Sequence, residues 1–279
     1  MRVAFLGPPG TFSEEALRAS RLDALEPVAM PTVYDAVMAV HERSAERALV
    51  PIENSLEGSV NATLDALAVE TRDVVIVGEA VLPVRHCLIA ARHLELDEIE
   101  AVVSHPQANA QCARFIRERL PGAEVLSAAS TAEAVRRVAE TPERAWAALG
   151  TRVAAELYGC EILRAGVEDV ADNETRFVWL ARADAEPPAS HGPWKTSLVF
   201  WGVGAQEPGW LVRCLSEFAF RGVNLTKIES RPRKQGLGRY MFFVDLEGRH
   251  SDRPVADAVR GLSAHCEEVR TLGSYPAAA

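Results

Sequence analysis

From the N-terminus to about residue 158, short apolar runs take turns with helical patterns. Residues 3–6 precede 14–20, 47–51 precede 60–69, and 99–103 precede 108–120; then 123–126 precede 132–139 and 146–149 precede 153–158. A strand that must wait for a helix before the next strand cannot close a hairpin. The alternation therefore calls for an α/β fold with largely parallel sheets. One interval breaks the rule: VVIVGEA and VLPVRHCLIA, within residues 74–90, are strand-like runs with no helix between them, which suggests a crossing between two lobes.

The rhythm changes once. Residues 183–194 (ADAEPPASHGPW) carry three prolines, a glycine and small polar residues, and both flanks read as strands, so this is the clearest domain boundary. Beyond it the order becomes strand 195–201, helix 209–221, strand 224–230, strand 239–246, helix 255–264 and strand 267–272. That βαββαβ order is the ferredoxin-like arrangement, which takes about 80 residues.

With 279 residues, two or three folding units are expected. A hydrophobic fraction of 48% fits a soluble globular protein. The net charge of -9, with no block of basic residues, argues against a nucleic-acid partner held through its phosphates. A small anion remains admissible, because local positive ends matter more there than net charge. Met1-Arg2 leads straight into Val3-Ala4-Phe5-Leu6 without the apolar run of a signal peptide, and no stretch is long enough to span a bilayer. The five cysteines stand singly, with no Cys-x-x-Cys pair, and read as reduced thiols of a cytoplasmic protein.

Polar and glycine-rich segments fall repeatedly at one place, where a strand ends and the next helix starts: GPPGTFSEEA from Gly7, PIENSLEGSV from Pro51, SHPQANAQC from Ser104, STAEAV from Ser130 and GTRVAAEL from Gly150. Each alone is an ordinary helix start, and Thr11 with Glu14 and Ser130 with Glu133 fit the capping-box pattern. Together they mark the edge at which open α/β sheets bind ligands, and converging helix N-termini suit carboxylates or phosphates. Asp172-Asn173-Glu174-Thr175-Arg176-Phe177 adds a further set of polar groups at the start of an apolar strand. Several chemistries are excluded. Gly7 to Thr11 lacks the lysine of a phosphate loop. His105 has no histidine or cysteine at ligand spacing, Glu53 and Glu57 alone define no metal site, and no G-x-S-x-G elbow occurs.

In this order and spacing, GPPGTFSEEA, PIENSLEGSV, SHPQANAQC, STAEA, AALGTRVAAELYG and DNETRF closely resemble prephenate dehydratase, and KTSLVF, GVNLTKIESRP and YMFFVDLEG resemble its regulatory ACT domain. The resemblance covers nearly the whole chain. It implies a two-lobed catalytic domain of the type II periplasmic-binding-protein kind over 1–182, with lobes of roughly 1–77 plus 160–182 and 78–159. A linker at 183–194 and an ACT domain at 195–275 follow. The implied reaction is decarboxylation and loss of the ring hydroxyl, turning prephenate into phenylpyruvate in phenylalanine biosynthesis, with no cofactor and no metal.

The resemblance assigns the catalytic hydroxyl to Thr175, with Asn54, Ser104, Gln111 and Glu53 beside it, and Thr11, Ser55, Ser130, Thr131, Arg176 and Phe177 on the substrate side. Arg176 contacts a carboxylate or braces the loop; Asp172 and Asn173 form the turn. A ranking by titration alone puts His105 first, since imidazole titrates near neutrality and a threonine hydroxyl does not. The family pattern prefers Thr175 and leaves His105 to cap or orient its turn, with Cys112 a packed side chain. For the ACT domain it implies L-phenylalanine as effector, through Gly209, Leu211, Asn224, Leu225, Glu229, Ser230 and Arg231, and a homodimer or homotetramer. Trp210 departs from the usual small turn and either fills or reshapes the effector pocket. The readings left beside this one are an arogenate dehydratase, a non-aromatising prephenate decarboxylase, and a non-catalytic small-anion binding protein.

Overall fold

A computed structural model of the chain describes residues 1–20, 22, 24–185 and 192–278. In chain order the elements are β1 (Arg2–Leu6), α1 (Phe12–Ala19), β2 (Glu26–Met30), α2 (Val33–His41), β3 (Arg47–Asn54), β4 (Gly58–Ser59), α3 (Asn61–Asp65), β5 (Val74–Pro83), β6 (Cys87–Ala90), β7 (Ala101–Ser104), α4 (Pro106–Gln111) and α5 (Ala113–Arg119). There follow β8 (Glu124–Ser127), α6 (Thr131–Ala139), β9 (Trp146–Gly150), α7 (Arg152–Tyr158), β10 (Glu161–Ala165), β11 (Glu174–Arg182), β12 (Trp194–Trp201), α8 (Trp210–Ala219), β13 (Leu225–Pro232), β14 (Tyr240–Glu247), α9 (Arg253–Ser263) and β15 (Glu268–Pro276). No helix among the described residues is long and apolar enough to cross a membrane. The chain forms two compact units, and residues 186–191 of the expected linker lie outside the described residues.

The first unit comprises Met1–Ala36, Leu49–Gly58 and Val81–Phe177. Here β1 lies between β2 and β3 and runs parallel to β2 from Arg2↔Glu26 to Leu6↔Met30. A second sheet has the order β10-β6-β9-β7-β8. Its β8, β7 and β9 are parallel, as the alternation of strands and helices requires, and β6 runs antiparallel to both of its neighbours, β9 and β10, so that β10 shares the direction of the other three. The sheet is therefore largely parallel with one reversed strand: β6 arrives directly from β5, with no crossover helix between them. Residues 161–165 form β10 of this sheet, paired with β6 of the 78–159 stretch.

Two apolar clusters cover the faces of that sheet. Leu88, Val102, Cys112, Ile116 and Leu149 belong to one; Ile89, Val103, Val135, Val138 and Ala154 belong to the other. Alternate residues of β6 and β7 thus face opposite clusters, as strand geometry demands. At the end of β9, Gly150 lies so close to α6 that a β-carbon there would sit 2.6 Å from Val135 Cγ2.

The helix expected over 108–120 is two helices. Cys112 leaves the helical conformation (φ -116, ψ 17), and α5 starts afresh with Asp169 accepting from the N–H groups of Arg114 and Phe115 at 2.9 and 3.3 Å. A distant carboxylate thus caps the second helix, which local periodicity does not reveal.

The second unit comprises Val37–Ala48, Ser59–Ala80 and Val178–Ala279. Its strands run β13-β14-β12-β15-β5-β11. The first four are antiparallel neighbours and have the ferredoxin-like order the βαββαβ pattern predicts. Leu198, Phe200, Val244 and Leu246 of the sheet pack on Cys214 and Phe218 of α8 and on Val255 and Leu262 of α9. Two further strands extend the sheet: β15 meets β5 in parallel at Gly273↔Ile76. A β-carbon on Gly273 would stand 2.1 Å from the Ile76 carbonyl oxygen, so only glycine admits this join. Residues 60–69, expected as one helix, form α3 and then a π-helical turn, Ala66–Glu70.

Candidate functional site

The polar groups of the first unit converge on the turn that follows β3. Asn54 Oδ1 accepts from the backbone N–H groups of Leu56 and Glu57, both at 3.0 Å. Two donors on the carbonyl oxygen fix which way the amide faces. The amide nitrogen therefore points at the start of β11, donating to Asn173 Oδ1 at 2.8 Å, Thr175 Oγ1 at 3.0 Å and the Glu174 carbonyl at 3.1 Å. With two hydrogens and three acceptors, Nδ2 serves them in part by shared bonds.

Ser55 ties the same segments from its backbone as well: its N–H donates to the Glu174 carbonyl at 2.9 Å, and its hydroxyl accepts from Glu174 N at 3.0 Å. Val84 N donates to the Asn173 carbonyl at 2.8 Å. Asn173 is fully buried, which places it at the centre of the network and not only in a turn. Thr175 is half-buried and its oxygen is already an acceptor, so its own hydrogen remains available to a group lying against it. The Arg176 guanidinium, mostly buried, has Nε 3.7 Å from Glu53 Oε2.

Gln111, at the end of α4, joins this turn from the other side. Its amide nitrogen donates to Glu57 Oε1 at 3.5 Å, and its oxygen faces His86 Nε2 at 3.0 Å. That contact makes Nε2 the protonated nitrogen of His86. His86 is 1% exposed, and the edge of Phe12 meets its ring at 5.2 Å between centroids. Burial, the leading cause, lowers the imidazole pKa against the opposing effects of Gln111 and Glu168, so a neutral ring is favoured. His86 did not stand out in the sequence, since a histidine inside VRHCLIA resembles a core residue; a buried imidazole facing an amide is recognisable only in three dimensions.

The remaining expected residues stand apart from this network. The Ser104 hydroxyl is fully buried and donates to the Leu149 carbonyl at 2.7 Å. Thr11 Oγ1 donates to the Leu6 carbonyl at 3.0 Å, and Glu14 reaches Gly10 N at 2.6 Å, so the expected capping box of α1 is not formed. Ser130 caps α6 by accepting from Glu133 N at 3.0 Å, while Glu133 turns to Arg136 at 2.7 Å and leaves the box half made. Thr131 opens α6, and Phe177 is buried in β11. His105 caps α4, its ring accepting from Gln107 N at 3.3 Å, and Cys112 is buried in the apolar core.

In the second unit, Trp210 turns inward. Its indole N–H donates to the His265 carbonyl at 2.7 Å, and its ring packs on Phe200 and Phe242. Gly202 and Gly204 make room for it: β-carbons there would lie 2.9 and 2.7 Å from the indole. Gly209 starts α8 at φ +78, and Leu211 and Leu225 pack at the margin of the same core.

Asn224 and Ser230 are exposed, but Glu229 and Arg231 are engaged on the opposite face of β13. Glu229 accepts from Ser59 Oγ at 2.9 Å, and Arg231 grips Asp65 with two bonds of 3.2 and 3.0 Å, joined by Lys234 at 3.1 Å. Burial disfavours the Asp65 carboxylate, yet the bonds from Arg231 and Lys234 outweigh it and hold the carboxyl below its ordinary range.

A sequence model of prephenate dehydratase matches residues 3–185. The prephenate dehydratase of Amycolatopsis methanolica is 42% identical over 274 residues, covering 98% of this chain and 88% of that relative. Among solved structures, the prephenate dehydratase of Arthrobacter aurescens in complex with L-Phe is 37% identical with a TM-score of 0.89, over 99% of this chain and 90% of the other. A structure described as GqqA, a novel type of quorum quenching acylases, is 34% identical with a TM-score of 0.88, over 100% and 98% of the two chains.

Proposed function

The chain belongs to the prephenate dehydratase family, and on that premise we propose that it converts prephenate to phenylpyruvate, CO2 and water through the hydroxyl of Thr175. The observation that carries this reading is the fixed Asn54 amide, whose nitrogen donates to the Thr175 oxygen at 3.0 Å and leaves the threonine hydroxyl to act as a donor. When the ring carboxylate leaves as CO2, its bonding electrons pass into the ring and expel the hydroxyl at the far carbon. A donor beside that hydroxyl stabilises the departing oxygen, and a proton completes water. The Asn54 hydrogen bond polarises the threonine O–H in the same sense. Gln111 and Glu53 complete the catalytic set, while Thr11, Ser55, Ser130, Thr131 and Arg176 form the substrate side, where helix starts and the Arg176 cation favour the two carboxylates; Ser104 and Phe177, expected among them, are buried and support the site from within the fold.

In this reading residues 1–182 are the two-lobed catalytic domain, of the periplasmic-binding-protein kind, and 195–275 are an ACT domain that carries L-phenylalanine feedback in a homodimeric or homotetrameric protein. The L-Phe complex of the Arthrobacter aurescens relative supports that effector. Because Glu229 and Arg231 are already engaged, an effector reaching them has to exchange for Ser59 and Asp65. Titrating L-phenylalanine into the assay tests the regulation: initial rates fall if the reading holds and stay constant if it does not.

The acylase relative suggests amide hydrolysis as a second reading. A hydroxyl nucleophile needs a base, and among the described residues no histidine or carboxylate bonds to the Thr175 hydroxyl, whose recorded partner is the Asn54 amide. The arrangement favours a donor. Incubating the purified protein with prephenate, arogenate and an N-acyl amide, then identifying products, decides among the readings. Phenylpyruvate from prephenate is the expected result; phenylalanine from arogenate alone, a non-aromatic product, or cleavage of the amide alone would overturn it.

A further inference from the structure

Cys214 and Cys266 are the one cysteine pair in mutual contact among the described residues, with their sulfurs 3.9 Å apart. Cys214 lies in the middle of α8, fully buried; Cys266 lies between α9 and β15 and is partly exposed. The segments that carry them are already joined next door, since Trp210, one turn before Cys214, donates to the carbonyl of His265, the residue before Cys266. Cys87, Cys112 and Cys160 belong to the other compact unit.

We propose that Cys214 and Cys266 form an intramolecular disulfide under peroxide, giving the βαββαβ unit a reversible oxidation site. A sulfur–sulfur bond is about 2.05 Å long, so the sulfurs approach by side-chain rotation of residues already in contact. The hydrogen bond between the two thiols, the leading cause, lowers the pKa of the Cys214 thiol against the opposing effect of its burial. A thiolate of the pair attacks one oxygen of hydrogen peroxide; the O–O bond breaks, hydroxide leaves and takes up a proton, and a sulfenic acid remains. The second thiolate then attacks that sulfur, the S–O bond breaks, and a second water leaves. Two thiols give up two electrons in all, and one peroxide is reduced to two waters. The new bond fastens α8 to the start of β15 beside the Trp210 anchor, so oxidation acts on the turn at Gly209-Trp210-Leu211.

The test uses the full chain. It is treated with a stoichiometric amount of hydrogen peroxide, its remaining thiols are alkylated, and the digest is analysed by mass spectrometry. The expected result is a cross-linked peptide pair joining Cys214 to Cys266, lighter by two hydrogen atoms than the two reduced peptides and separated by dithiothreitol. Cys214→Ser and Cys266→Ser each abolish the cross-link, and the two variants guard against one failing to fold. Full alkylation of all five cysteines, or Cys266 recovered as sulfinic acid without a cross-link, would overturn the proposal.

Discussion

Asn54 gives two amide hydrogens to β11 while its oxygen is held by two backbone N–H groups, so its role depends on being an amide and not merely a polar side chain. Asn54→Asp keeps the shape and removes both donors, setting a carboxylate against Thr175 Oγ1 and Asn173 Oδ1. We expect kcat for prephenate to fall by about 100-fold or more, in line with the loss of one oriented donor; steady-state kinetics of the variant check this. His86 supplies a prediction in pH. Its folded pKa lies below the ordinary value of about 6.5. The unfolded chain therefore binds the proton first as pH falls, and the stability from the neutral, buried ring is complete above about pH 6.5 and lost as pH drops through the folded pKa. His86→Gln removes this dependence, so urea midpoints of the variant should fall less steeply between about pH 7 and 5 than those of the native protein. Thr175 and Asn54 were legible in the sequence through their motifs. His86 and Asn173 were not, because what singles them out is burial combined with a partner far along the chain.

At the scale of elements, the ends of helices and strands carry the testable detail. Ser130 caps α6 without the reciprocal bond from Glu133. Ser130→Ala should cost about 1 kcal/mol, the worth of one cap, read as a lower urea midpoint with unchanged slope. Gly273 is less forgiving: Gly273→Ala drives a β-carbon into the Ile76 carbonyl where β15 joins β5, and should cost at least about 2 kcal/mol. Most elements could be read from periodicity, and all six of the C-terminal unit fall within a few residues of their expected places. Three features could not. The stretch 26–41 holds β2 and α2, but Glu26-Pro27 starts a largely exposed strand with weak alternation. The break at Cys112 depends on Asp169, far along the chain. The direction of β6 depends on a neighbouring strand, which periodicity does not specify.

At the scale of the whole molecule, the family accounts for both the order of motifs and the length of the chain, since relatives at about 40% identity cover nearly all of it. The fold brings Asn54, Ser55, Gln111 and Thr175 into one network from segments 120 residues apart. Proposed catalysis by this molecule then rests on a single hydroxyl, half-buried and outside the apolar clusters, so its loss should leave the fold intact. The most direct test is the rate of phenylpyruvate formation from saturating prephenate by the full chain and by its Thr175→Ala variant. Rapid formation by the native chain is expected, with a loss of about 100-fold to 10,000-fold in the variant, the range of a single proton-donating group, and an unchanged melting temperature. Near-normal turnover by Thr175→Ala, or no phenylpyruvate from the native chain, would contradict this expectation.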